Sequence, residues 1–262
     1  MTTANPMGIH RVMHEIKRRR LEVLRVTDIT PHMRRVTLGG PELAGFISLG
    51  SDDHIKCFFA QNAEEQAALE SMQFGGKGND DGPKPAMRDY TPRRYDAAAN
   101  ELDIDFVLHG DGPASTWAEQ VTSGQPFYIG GPRGSMIVPD IFDSYLLIGD
   151  ETALPAIARR LEELPAGRQV LALIEVPNAA EQQTLQSAAN VEIQWLHREA
   201  GQDLLSGVKA LGSLPGGSLY TWVAAESATS RRIRRVLLDD FGVNEDFFKA
   251  AGYWKLDETS ED

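Results

Sequence analysis

Cysteine is almost missing from this chain of 262 residues, with Cys57 standing alone. One thiol cannot form an internal disulfide, and it cannot hold an iron–sulfur cluster, which takes several thiolates. Long apolar runs are missing too: none approaches the roughly 20 residues that cross a bilayer, so no membrane segment is expected. Met1 to Gly8 lack the basic-then-apolar pattern of a secretory signal, which points to a cytoplasmic protein. Positive charge is scarce, with 26 Lys and Arg against 38 Asp and Glu and a net charge of -12. That balance disfavours general nucleic-acid binding. The exception is local. Lys17 to Arg20 read "KRRR", which admits a nucleic-acid or anionic-membrane reading beside the plainer one of a solvated face.

The remaining sequence has two textures. In "RLEVLRVTDITPHMRRVTLGG" apolar and polar residues alternate on either side of a Pro turn, and Ile55 to Phe59 reads as another strand. The stretch from Gln61 to Lys84 is polar and Gly-rich toward its end, an inserted loop with one short helix. "LDIDFVLH" puts Leu102, Ile104, Phe106 and Leu108 on one face, and Asp103, Asp105, Val107 and His109 on the other. Many strands with few helices predict an antiparallel β-barrel over residues 11–140. From Asp143 onward, apolar strands alternate with helical segments: "SYLLIGD", "QVLALIEV", "VEIQWLH" and "SLYTWVAA" are strands. "SATSRRIRRVLLDDFG" is an amphipathic helix with Ser227 as N-cap and Gly242 as its stop. This pattern predicts a doubly wound parallel α/β domain over residues 141–262.

At "PAMRDYTPRRYD", Pro85 to Asp96, three arginines, two tyrosines and two prolines crowd into twelve residues. An ordinary charged turn is one reading. The other is a seat for a flat, phosphorylated ligand such as a flavin. Extended backbone sends Arg88 and Tyr90 to one side, the first toward phosphate and the second along ribityl or ring, with the Thr91 hydroxyl at a flavin edge. A second feature follows at "DFVLHGDGPASTWA", where a strand ends at His109, passes Gly110 and Gly112, and opens a helix near Ala114. Glycines permit close backbone approach, and a helix N-terminus favours phosphate.

Together, "DDHIKCFF", "RDYTPRRYD", "DFVLHGDGPASTWA", "GGPRGS", "GDETALPAI" and "AAGYWK" resemble, in the same order, the siderophore-interacting proteins. These are flavin-dependent ferric-siderophore reductases of the ferredoxin–NADP reductase superfamily, a flavin-binding barrel followed by a nucleotide-binding α/β domain. The resemblance implies FAD bound by Arg88, Tyr90 and Thr91, with Asp105, Val107 and His109 along the ring and ribityl. Gly112, Ala114 and Ser115 would hold the pyrophosphate, and a C-terminal segment carrying Tyr253 and Trp254 would return to the flavin. The substrate would be an anionic ferric siderophore, with Lys56, Arg133 and Lys255 as its cationic clamp.

The electron donor stays open among NADPH, NADH and a reduced ferredoxin. "LLIGDETALPAI" has one glycine and sets Asp150 and Glu151 where a pyrophosphate would sit, while Arg198 is a candidate for a 2′-phosphate. No metal site in the protein and no catalytic acid or base is expected, because the iron arrives chelated. The alternatives are a general NAD(P)H:flavin or ferredoxin-type reductase, and a non-enzymatic siderophore-binding protein.

Overall fold

The computed structural model describes residues 8–71 and 84–256; the Gly-rich part of the expected insertion, 72–83, lies outside the described residues. The chain divides into two units, Ile9–Val138 and Pro139–Asp262, with Gly8 assigned to the second.

The first unit holds β1 (His10–Met13), β2 (Arg18–Thr30), β3 (Met33–Gly39), β4 (Ile55–Phe59), α1 (Ala63–Ser71), β5 (Ala86–Tyr90) and β6 (Pro92–Asp96). It continues through β7 (Glu101–Val107), α2 (Gly112–Gln120), β8 (Pro126–Gly130) and β9 (Gly134–Ile137). Seven strands form one sheet in the order β5-β4-β8-β2-β3-β7-β6, and β1 pairs separately with β9. The strand pairings of this unit are antiparallel throughout the described residues. β5 and β6 occupy opposite edges of the sheet, yet only Thr91 separates them in the chain. The sheet therefore curls until its edges meet at Thr91, which makes the expected barrel. Leu21, Val23, Val36, Leu38, Ile104, Phe106 and Phe127 fill it, and α2 closes it with Ala114, Ala118 and Trp117.

The alternation in β7 holds on one face only. Leu102, Ile104 and Phe106 enter the core, but Asp103 and Asp105 on the other face are also buried, at 3% and 5% exposure. Thr37 and Arg94 bond Asp103 at 2.7 Å each, and Arg35 holds Asp105 with two bonds of 2.7 and 2.8 Å. Two residues of the basic run, Arg18 and Arg19, are likewise built into the sheet, while Lys17 and Arg20 stay exposed. Arg19 is 5% exposed, lies 5.4 Å from the Phe46 ring centroid and donates to the Gly131 and Gly45 carbonyls. Arg18 covers Tyr128, and Lys17 pairs with Glu15.

The second unit runs β10 (Ser144–Gly149), α3 (Leu154–Glu163), β11 (Gln169–Val176), β12 (Asn190–His197), α4 (Leu204–Lys209), β13 (Leu219–Glu226), α5 (Ser227–Asp239) and β14 (Phe248–Trp254). Its sheet is parallel throughout in the order β12-β11-β10-β13-β14. Leu146, Ile148, Leu173, Val223, Ile233 and Leu237 are buried in its core. The four strands read from sequence are present, and β14 is an additional one. Two helix starts differ from expectation. Glu226, rather than Ser227, caps α5, accepting from Thr229 N–H at 2.8 Å; the Ser227 hydroxyl donates to the Trp254 carbonyl instead. α2 begins at Gly112, ahead of Ala114, because Asp111 caps it. Gly242 does turn the chain after α5, with φ of 65°.

Candidate functional site

The barrel seam carries the opening motif. The register sets Tyr90 opposite Ile55 and Arg88 opposite Cys57, so Arg88 and Tyr90 share the face of those two core residues. Tyr90 is half-buried, its ring centroid 4.4 Å from Phe106 and 6.4 Å from Phe59. Burial pushes its phenol well up, so it is a neutral hydrogen-bonding group. Burial also raises the thiol of Cys57, which is 0% exposed and has no reach to a substrate. Arg88 is exposed and donates to its neighbour Met87 O at 2.8 Å, with no ion pair to any described residue. Thr91 is buried at the seam. Pro92 opens an edge strand, where a missing N–H costs nothing. A cation without a carboxylate partner thus stands beside an aromatic platform.

The glycine turn is organised by a side chain the sequence assigned to phosphate. The Ser115 hydroxyl accepts from His109 N–H at 2.9 Å and Gly110 N–H at 3.1 Å, and reaches Glu119 at 3.1 Å. Ser115 is 1% exposed, so its hydroxyl fixes the turn from inside. Gly110 and Gly112 have φ of 75° and 77°, a region that side chains avoid. No atom stands within 4 Å of a Cβ built on Gly110, and only the His109 ring at 4.0 Å for Gly112. The turn is open above its backbone. The Asp111 carboxylate bonds Gly112 N–H at 2.7 Å, so an incoming phosphate displaces or adjoins that cap. Ala114 is buried in α2 and His109 is exposed. Val107 is half-buried at the end of β7. Asp105 departs from its expected part: its carboxylate is 2% exposed and taken up by Arg35.

Two of the expected substrate cations belong to this unit. Lys56 pairs with Asp89 at 2.7 Å and sits opposite Gly130, three residues before Arg133. Arg133 is exposed, with no ion pair among the described residues. Sequence reasoning passed over the His-x-x-x-His spacing of His10 and His14, which joins two imidazoles only on a helix. Here His10 opens the strand β1 and His14 follows its last residue, Met13; the His14 ring bonds the Ser135 hydroxyl at 2.8 Å. Ser135 in turn bonds Asp53 at 2.5 Å. The carboxylate contacts serine rather than histidine, and Ser135 is 0% exposed, so the trio pins strands and has no nucleophilic arrangement. Among the described residues no group of three His, Cys, Asp or Glu could hold a metal, and no helix is long and apolar enough to cross a membrane.

In the second unit the strand order reverses at β10, and ligands of such sheets lie outside the strand carboxyl ends there. A Cβ on Gly149 would lie 2.5 Å from Ala153 Cβ and 2.9 Å from the Ala224 carbonyl, so this glycine lets the turn pack close. Asp150 follows, 3% exposed, accepting from Thr152 N–H at 2.9 Å and Trp254 Nε1–H at 2.8 Å. Burial pushes its carboxyl up to about 6. Arg198 is ion-paired to Glu151 at 2.5 Å and Glu175 at 2.6 Å, and does not stand free for a phosphate as expected. Tyr253 meets the Trp222 ring edge-on at 6.0 Å, and Lys255 follows β14, exposed.

Residues 22–136 match the siderophore-interacting FAD-binding domain, and residues 142–257 match the siderophore-interacting protein domain. The NADPH-dependent ferric-chelate reductase of Escherichia coli is 36% identical over 254 residues, covering 95% of this chain and 97% of that protein. The chain belongs to the siderophore-interacting protein family. Ferric vibriobactin reductase ViuB of Vibrio cholerae is 32% identical, over 93% of this chain and 91% of its own. Among solved structures, a siderophore utilization protein from T. fusca superposes with a TM-score of 0.84 at 38% identity, covering 97% of this chain and 99% of that one.

Proposed function

We propose that the chain is an FAD-dependent reductase that moves electrons from NAD(P)H to the iron of ferric siderophores and releases Fe(II) in the cytoplasm. The observation that carries this reading is Arg88, a cation with no carboxylate partner among the described residues, two strand positions from the half-buried Tyr90 and on the same face at the barrel seam. The donor set fits FAD. Arg88 would bond the pyrophosphate, Tyr90 would lie along the ribityl and ring, and Thr91 would meet a ring edge. The first-turn N–H groups of α2, reached through the open Gly110 to Gly112 turn, would take phosphate oxygens. His109 and Val107 would border the ribityl and ring. When bound, FAD supplies the conversion between two-electron hydride transfer and single-electron transfer.

The protein's own part is binding and charge placement. The net charge of -12 repels an anionic chelate, but salt screens that repulsion beyond about 8 Å. Arg133 and Lys56 are then the local attraction, and Lys255 carries the same proposal. Lys56 is partly compensated by Asp89, so Arg133 is the stronger of the pair on the barrel unit. Hard oxygen ligands hold Fe(III) better than Fe(II), so reduction alone loosens the metal, and no protein acid or base is required.

The test is anaerobic. Purified protein reduced with NADPH or NADH receives a ferric siderophore, and Fe(II) is trapped by a ferrous chelator; stoichiometric trapping is expected. Reduction by NAD(P)H without Fe(II) formation would make it a general flavin reductase, and a colourless protein would make it a binding protein. Lys56→Ala should raise KM for an anionic ferric chelate more than for a neutral one; equal effects would remove Lys56 from substrate binding. Asp150 and Glu151 at the expected pyrophosphate position favour reduced ferredoxin as the second donor reading, and a flavin that ferredoxin reduces and NAD(P)H does not would select it.

A further inference from the structure

The Arg198 ion pairs lie where an adenosine ribose would be read. In parallel sheets of this order an acidic residue roughly 20 positions past the glycine turn bonds the ribose 2′-hydroxyl, and a nearby arginine accommodates a 2′-phosphate. Glu175, at the end of β11, has the corresponding place, but it is engaged. Its Oε1 accepts from Arg198 Nη1 at 2.6 Å and its Oε2 from Leu204 N–H at 3.0 Å. Glu151 reaches Arg198 from the other side, out of the turn after β10, with contacts of 2.5 and 3.3 Å.

The two carboxylates are not equivalent. Glu175 is buried and also satisfies the backbone at the start of α4, so removing it leaves an N–H without its acceptor. The Glu151 carboxylate bonds only Arg198 among the described residues, and the Arg198 side chain is 44% exposed. Glu151 is therefore the partner that a ligand can replace. A 2′-phosphate carries about -1.5 to -2 charge and would bond Arg198 only by displacing Glu151, then remain beside the displaced carboxylate. A 2′-hydroxyl has no need of Arg198 and meets no such competitor.

We propose that Glu151 is a specificity-determining residue for the electron donor, holding on Arg198 the position that a 2′-phosphate would take and so suppressing preference for NADPH over NADH. This rests on the reading of the chain as an NAD(P)H-dependent reductase. Glu151→Gln keeps the size of the side chain and removes its charge, so Arg198 becomes available. Titration calorimetry of the FAD-loaded full-length chain with NADP⁺ and NAD⁺ reads this directly, without turnover.

Glu151→Gln should tighten NADP⁺ by about tenfold, the scale of relieving one like-charge contact, and leave NAD⁺ unchanged. The double variant Glu151→Gln, Arg198→Ala should lose that gain. Equal changes for both nucleotides, or a gain that survives without Arg198, would overturn the role of Glu151 while leaving NAD(P)H as donor. Failure of both nucleotides to bind both the parent protein and the variant would overturn the proposal together with the NAD(P)H reading.

Discussion

Asp150→Asn removes a charge from a side chain that is 3% exposed and tied to β14 through the indole of Trp254. Burial raises this carboxyl from its ordinary 3.8 to about 6, against the bonds from Thr152 and Trp254 that favour its ionised form. The folded chain thus keeps a proton that the unfolded chain releases between about pH 4 and 6. Stability contributed by Asp150 is complete below that window and falls as pH rises through it. Two pH units correspond to about 3 kcal/mol, and the deficit persists at higher pH. Asparagine has no such slope. The stability difference between variant and parent should therefore move by about 3 kcal/mol in favour of the variant from pH 4 to pH 7.5. Urea unfolding at several pH values measures it, and the ¹⁵N-labelled indole resonance of Trp254 should titrate near pH 6. An indole signal flat from pH 4 to 8, or a stability difference independent of pH, would refute the reasoning.

Arg35→Ala removes both short bonds to the Asp105 carboxylate, which is 2% exposed, and leaves it with Arg93 at 3.9 Å; it should cost about 3 kcal/mol in denaturant unfolding. Arg25→Ala, which breaks an equally short pair with Glu101 on the surface, should leave the midpoint nearly unchanged. Gly252→Ala would set a Cβ 2.3 Å from the Ser227 hydroxyl and 3.0 Å from Ser227 Cα. Pushing β14 off α5 should cost about 1–3 kcal/mol, read as a lowered melting temperature. Ser115→Ala takes the acceptor from two backbone N–H groups and should speed FAD release, followed as flavin fluorescence appearing on dilution.

What the sequence made legible was local. The alternation of Leu102, Ile104 and Phe106, the apolar strands of the second unit and the step from strand through glycines to α2 all depend on neighbours within a few residues, and they stand in the structure. What stayed hidden depended on distant partners. Asp103 and Asp105 read only as the polar face opposite the core, with Asp105 assigned to the flavin, until Thr37 and Arg35, 66 and 70 residues away, supply their bonds. Arg19 looks solvated until Phe46 and two carbonyls enclose it. Glu226 takes the cap of α5 from Ser227 because the Ser227 hydroxyl is drawn to Trp254, 27 residues on. β14 carries Gly252 and two alanines, residues of weak strand propensity, so its strand character comes from pairing with β13. Arg88 and Tyr90 were visible as a motif, but the barrel seam that gathers them appears only when β5 and β6 are seen at opposite edges of one curled sheet.

The most direct measurement is the FAD content of protein carrying Arg88→Ala and Tyr90→Ala together. Arg88 is exposed and Tyr90 half-buried, so circular dichroism should confirm a folded chain. The parent protein should purify with one FAD per chain and the variant largely without it. A folded variant that retains its full flavin would contradict the placement of the cofactor at the seam and, with it, the reductase assignment built on that site.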